Sequence, residues 1–480
     1  MKEYCERALN VAQLKGASYA DVRIVAREVQ GISVKNGRVQ SLTHHESFGF
    51  GVRVLCNGAW GFAASATLSQ PEIERTASLA VQLAKAAART QRRPVDIGQP
   101  YKNVGRYRTP VTTDPFHVPL NDKITLLLHA SETMQKVQGI AVAEAVVELQ
   151  KEEKTFSSTE GSFIEQETIE TGCGIEATAV GEDDVQNRSY PNSVGRHQGT
   201  EGWEFVERWD LLGNAGRIAE EAVALLTAKP CPAGLTTVIL DGSQVALQVH
   251  ESCGHAVELD RVLGTEAAFA GTSFLTTDKL AGFRYGSDAV SLTADATIPG
   301  GLGTFGFDDE GVPAQRWALV DRGQFVGYLM SRETAAGLGL RSNGAMRADG
   351  WGRLPLIRMT NVNLEPGTWT LDDLIADTDD GILMQTNRSW SIDDKRLNFQ
   401  FGTEIGWEIK RGKRGDMLKN ATYTGMTPQF WGSCDAICNR DHWVVWGTPN
   451  CGKGKPEQVA HTGHGAAPAR FRNLRVGLMR

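Results

Sequence analysis

Residues 249–255 read Val-His-Glu-Ser-Cys-Gly-His. Two imidazoles this close can share a metal ion. Glu251, directly after His250, would then lie beside the ion without having to ligate it. A carboxylate there can take a proton from zinc-bound water, whose pKa the metal lowers toward about 7, and later protonate a leaving amine. The spacing carries a structural demand. In the familiar zinc motif the histidines stand at i and i+4, about 40° apart around a helix. His250 and His255 stand at i and i+5, about 140° apart on a straight helix. Sharing one ion requires a π-bulge, or a helix that breaks near Gly254, where the missing Cβ makes distortion easiest. The plainer alternative is a core helix with two hydrogen-bonded histidines and a surface glutamate.

A catalytic zinc usually takes three protein ligands and keeps one position for water. The third ligand has several candidates: Glu258 or Asp260 just downstream, Cys253 within the motif, and the distal Cys434, Cys438, His442, Cys451, His461 and His464. Cys434 and Cys438 could instead join Cys451 in a separate structural site. Spacing alone does not select among them.

The elements that must position these residues are legible in outline. Gln244–Val249 is apolar and periodic, and it follows a strand-like run, Leu235–Leu240, across Asp241-Gly242-Ser243. Beyond residue 300 the chain holds eight of its 11 tryptophans, with hairpin cues at Arg322-Gly323 and Lys410–Gly415. Residues 231–480 therefore read as a large β-rich domain, barrel-like or sandwich-like, carrying the metal-binding helix. Ahead of it, residues 1–95 read as an α+β sheet-and-helix domain. Its Asn36-Gly37 and Asn57-Gly58 pairs suit type I′ hairpin turns. Ser69 and Glu72 form a capping-box signature for a helix over 71–89. Residues 96–118, rich in proline, read as a linker. Residues 119–230 form a central α+β domain, with a helix after Asn121-Asp122, a hairpin turn at Gly161-Ser162 and a helix near 210–228. The fold class is α+β.

Composition bounds the function. The 480 residues carry 50 Lys+Arg against 57 Asp+Glu, a net charge of −7, with 41% hydrophobic residues, so the chain is globular and not disordered. Mild acidity argues against a nucleic-acid binder. No apolar stretch approaches the roughly 20 residues of a membrane helix. The N-terminal MKEYCERALNVAQLKG reads as an amphipathic helix and not a signal peptide, which implies a cytoplasmic protein with reduced thiols.

The sequence resembles the TldD/PmbA metalloproteases, in particular their motif-bearing TldD-like branch. The resemblance rests on YADVRIVAREVQGISVKNGRV and SFGFGVRVLCNGAWGFAA near the N-terminus and on HESCGH. Further on it rests on DDEGVPAQRWALVDRGQFVGYLMSRETA, LPLIRMTNVNLEPG, FGTEIGWEIKRGK and NCGKGKPEQVAHTGHGAAPARFRNLRVG. It implies a zinc-dependent peptidase with His250 and His255 as ligands, Glu251 as general base and Cys451 as third ligand. It also implies a dimer-enclosed site that admits short or unfolded peptides. The dimer would be a homodimer, or a heterodimer with a motif-lacking family member. On that reading Leu356–Asn363 and Ile298–Gly306 are candidates for holding an extended peptide. Arg358 is a candidate for a peptide carboxylate or for a structural ion pair. His461 and His464 are candidates for substrate or oxyanion contacts, or for structural roles. The Trp-containing segments Asn387–Asn398 and Cys438–Thr448 depart from the shorter family forms. Two other functions stand beside it: a non-catalytic peptide-binding or maturation subunit, against which the presence of both histidines and Glu251 argues, and a metal-dependent hydrolase of a non-peptide amide or ester, which the motif alone does not exclude.

Overall fold

Both Asn-Gly pairs turn the chain back on itself in the computed structural model, which describes residues 1–193 and 197–477. Asn36 and Gly37 stand at φ +50° and +67°, Asn57 and Gly58 at +53° and +77°, as a type I′ turn requires. Helix α1 (Lys2–Leu14) leads into a meander of β1 (Tyr19–Lys35), β2 (Arg38–Cys56) and β3 (Ala59–Ser65). Helix α2 (Gln70–Ala87) then packs with α1 on one face, burying Ala8, Ile73, Ala77 and Val81 against Val22, Val52 and Val54. Ser69 is the N-cap of α2, but the reciprocal capping box does not form. The Glu72 carboxylate takes Arg75 instead, with contacts of 2.8 and 2.6 Å. A bidentate ionic pair is the stronger competitor for that carboxylate.

The next segment enlarges the same sheet. Strand β4 (Val104–Arg108) lies within residues 96–118 and pairs in parallel with an edge of the sheet. Helix α3 (Leu120–Gln135) follows, then β5 (Ile140–Ser158) and β6 (Phe163–Val180), joined by a turn with Gly161 at φ +93°. Strand β5 pairs with β1 from Asp21↔Ser158 to Lys35↔Glu144. The two N-terminal regions therefore share one sheet, with path β3-β2-β1-β5-β6-β4. The helix Leu211–Thr227 packs with α3 over it. Among the described residues, no helix is long and apolar enough to cross a membrane.

The C-terminal region closes a five-stranded barrel. Strand Gly234–Leu240 pairs in parallel with Asp380–Ile392 and antiparallel with Ala469–Val476. Thr422–Met426 links Ala469–Val476 to Asn398–Lys410, which returns to Asp380–Ile392. Closure satisfies strand edges that an open sheet would leave unpaired. The tryptophan density has a packing explanation: Trp431 is fully buried, and Trp317, Trp369, Trp407, Trp443 and Trp446 pack against the same core. The chain leaves the barrel at Leu240 and enters the helix Gly242–Val249, where Asp241 accepts the N-cap bond from Gln244 N at 3.0 Å. That helix carries the motif into the interior.

Candidate metal centre

The i, i+5 spacing is absorbed as a π-turn. Residues His250–Gly254 form it, and the His255 amide donates to His250 O, five residues back. A 3₁₀ turn, His255–Val257, follows. The two imidazole rings, which a straight helix would set on different faces, lie 4.9 Å apart between centroids. The distortion is braced from outside. Tyr285 donates to Ser252 O at 3.1 Å, and Trp431 Nε1 donates to Ser252 Oγ at 3.0 Å.

Gly254 has φ −49°, so no special backbone conformation requires glycine there. Packing does: a Cβ at this position would stand 2.0 Å from Met359 Sδ. Gly254→Ala is expected to cost about 1–3 kcal/mol through overpacking and to loosen metal retention. Denaturant midpoints and metal content check this. Unchanged values in both would show that Met359 moves aside freely.

The strand Val444–Lys453 brings Cys451 to the two histidines from about 200 residues away in the chain. One donor atom from each of His250, His255 and Cys451 lies within 4.8 Å of the others. Cys451 Sγ is 3.6 Å from His255 Nε2. That is about the edge, roughly 3.6 Å, of a zinc tetrahedron built from bonds near 2.3 Å to sulfur and 2.1 Å to nitrogen.

Hydrogen bonding determines which nitrogen each histidine offers. His464 Nδ1 lies 3.0 Å from Val362 O, an acceptor, so His464 carries its proton there and Nε2 accepts. His250 Nδ1, 2.7 Å from that Nε2, is then the donor, leaving His250 Nε2 free. His255 Nδ1 donates to Glu258 Oε2 at 3.0 Å, leaving His255 Nε2 free. Outer partners thus occupy Nδ1 of both imidazoles and leave each Nε2 to take a proton or a cation.

The charges agree with this arrangement. Burial pushes the Cys451 thiol up, but His250, His255 and the Arg358 guanidinium outweigh it and hold the thiol well below its usual range. Burial holds His255 well below the ordinary histidine range. Burial also pulls His250 down, yet the Cys451 thiolate and the Glu251 carboxylate together outweigh it and leave that histidine raised. A thiolate that draws a proton to a neighbouring imidazole draws a divalent cation by the same charge.

The remaining third-ligand candidates lie elsewhere. Glu258 and Asp260 hold Lys453, at 3.2 and 2.8 Å, which ties the end of the motif to the cysteine strand. Cys253, Cys434 and Cys438 are buried thiols pushed up to about 12 by burial. His442 accepts from Leu371 N at 3.3 Å. No second cluster of metal-ligand type occurs among the described residues.

The substrate candidates also have definite places. Arg358, 1% exposed, donates to Cys451 O and to Gln458 O, so it braces the ligand strand from behind. His464 is fully buried behind His250. His461 pairs with Glu170 at 2.5 Å in a separate charged cavity of about 270 Å³ between the N-terminal sheet and the C-terminal region. Leu356–Asn363 and Ile298–Gly306 pack against each other: Gly303 N donates to Asn361 Oδ1 at 2.9 Å, and a Cβ on Gly303 would meet Thr360 at 2.3 Å. Neither is an open edge there.

The metal donors open on a cavity of about 410 Å³ walled by Leu247, Trp390, Ile392, Thr448 and Asn450. Glu251 and Arg396 line it too, and they form an ion pair at 2.5 Å. Arg396 is the neighbour of Glu251 that sequence reasoning missed. It stands 145 residues from Glu251, and no local pattern marks it. Glu258 was visible as a candidate ligand, and its place three residues after His255 could have suggested the orienting role.

Comparison with known proteins agrees. Three models of PmbA/TldA metallopeptidase domains match: domain 1 over residues 20–84, the central domain over 113–229 and the C-terminal domain over 233–477. A protein of Methanocaldococcus jannaschii named a metalloprotease is 31% identical over 426 residues, covering 88% of this chain and 90% of its own. Another of that name, from Methanothermobacter thermautotrophicus, is 30% identical over 459 residues, covering 96% and 95%. A Thermotoga maritima crystal structure described as a modulator of a DNA gyrase superposes with TM-score 0.78 at 18% identity, over 99% of this chain and 100% of its own. With all three domains in order and a buried His-His-Cys cluster inside the third, the chain belongs to the PmbA/TldA, or TldD/PmbA, family of metallopeptidases.

Proposed function

We propose that this metallopeptidase is a zinc enzyme in which His250, His255 and Cys451 hold the metal and Glu251 is the general base. The observation that carries the reading is the convergence of two imidazoles and a buried thiol, the imidazoles oriented by His464 and Glu258 and the cysteine's backbone held by Arg358. Two nitrogens and one thiolate suit zinc better than the harder magnesium or calcium ions. Zinc, when bound, supplies a Lewis acid for the substrate carbonyl and acidifies a water. Glu251 takes the proton of the attacking water and passes it to the departing amine. Its Oε2 is paired with Arg396, which leaves Oε1 for that proton. A cavity of about 410 Å³ has the size of a small-ligand pocket, which supports a short or unfolded peptide over a folded protein. The eight unpaired cysteines support a reducing, cytoplasmic setting. The resemblance adds pairing with a second copy or with a motif-lacking relative.

The test is metal removal. A chelator is expected to abolish cleavage of a denatured-protein or peptide library, and stoichiometric zinc to restore it. Cleavage that survives loss of the metal would overturn the reading.

A further inference from the structure

Arg396 is the one arginine or lysine among the residues lining the metal cavity. It sits in the turn between strands Asp380–Ile392 and Asn398–Lys410, with φ +64°. Asp393 secures that turn, accepting from the amides of Lys395, Leu397 and Asn398 at 3.1, 2.8 and 3.1 Å. The Thr427 hydroxyl holds Arg396 O at 2.8 Å. The guanidinium is therefore presented by a fixed turn. Its Nη1 donates to Glu251 Oε2 at 2.5 Å, while Nε is sealed from solvent with no acceptor among the described residues. A guanidinium offers five donors; with Nε sealed, the Nη groups are the ones that can meet a molecule in the cavity that Arg396 lines. A largely buried cation with spare donors gains most from an acceptor that arrives with the substrate.

We propose that Arg396 is a catalytic residue of this site: Nη1 holds the Glu251 carboxylate, and the Nη N–H groups left over on the cavity side stabilise the charge that develops on the substrate carbonyl oxygen. The inference rests on the peptidase reading above. As the water oxygen bonds to the carbonyl carbon, the π electron pair moves onto the carbonyl oxygen beside Arg396. Glu251 takes the water proton. When the C–N bond breaks, its electron pair leaves with nitrogen, which receives that proton. Arg396 stays charged throughout.

The test uses the zinc-loaded full chain with Arg396→Gln, Arg396→Lys and, as a control, Lys395→Gln on the exposed side of the same turn. Zinc content, kcat, KM and the affinity of a phosphinic tripeptide, an anionic tetrahedral mimic, are measured. Arg396→Gln is expected to keep its zinc, to lose about 10²–10³-fold in kcat with KM within about threefold, and to bind the phosphinic peptide more weakly by a similar factor. Added guanidinium ion should restore part of the rate, Arg396→Lys should fall between, and Lys395→Gln should match wild type. A kcat within about threefold of wild type, a change in KM alone, or loss of zinc would overturn the role. Wild type that neither cleaves peptides nor binds the phosphinic peptide sinks the peptidase reading and this role together. Wild type that does both, with Arg396→Gln unchanged, sinks this role alone.

Discussion

Glu251→Gln is expected to keep about one zinc per chain and to lose roughly 10²–10⁴-fold in peptide cleavage. Glutamine has the shape of glutamate, and its amide oxygen can still accept from Arg396, so the cavity wall survives. Glu251 is not among the three clustered donors, so the metal should stay. What is lost is the capacity to accept a proton. Metal analysis and cleavage of a peptide library measured side by side check both halves. Undiminished cleavage would sink the general-base role, and lost zinc would move Glu251 into the ligand set. A wild type that hydrolysed only non-peptide amides would redirect the substrate class while leaving this proton chemistry intact.

Cys451→Ser is expected to remain folded but to lose tight zinc binding, and hydrolysis with it. Cys451 is 3% exposed, and its thiol is held far down by two imidazoles and Arg358 against the opposing effect of burial. Serine fills nearly the same space, but its hydroxyl does not ionise at neutral pH. Disturbing an outer partner of a metal ligand typically costs about 10–100-fold in affinity, so removal of the thiolate should cost more than about 100-fold. Competition against a chromogenic chelator measures the loss. Full zinc with wild-type affinity in Cys451→Ser would refute the ligand assignment. Retained weak binding with restored activity at high zinc would still agree with it, since two imidazoles remain.

Local pattern reached far in some places and stopped in others. Asn36-Gly37 and Asn57-Gly58 announced their turns because a type I′ hairpin depends on two adjacent residues. The helix at 70–87 was visible in its alanine-rich periodicity and its proline near the start. Its capping box failed because Arg75, one turn later, competes for Glu72. Strand Val104–Arg108 was hidden in a proline-rich segment. Its alternation spans five residues, and its parallel pairing with Phe163–Val180 is a long-range event. The motif told more than usual, because an i, i+5 histidine pair is useful for one ion only if the helix deforms. A distortion, by a π-bulge or by a break near Gly254, was readable as a requirement, and packing selected the π-turn.

The chemical vocabulary of this protein is written in its residue types and their spacing. They supply two histidines and a glutamate at a spacing that demands a helical distortion, a β-rich domain to carry them and, through family resemblance, a distant cysteine. How those groups are held depends on packing between distant segments. Pairing of the cysteine strand with Gln458–Ala466, braced by Arg358, sets Cys451 against the π-turn; Glu258 and His464 engage one nitrogen of each imidazole and leave the other for an ion; and a hairpin turn lays Arg396 on Glu251. The physical reason is range. Turn and helix preferences act over a few residues, whereas the contacts of His250 with His464 and of His255 with Cys451 join segments about 200 residues apart and exist only once the core has packed.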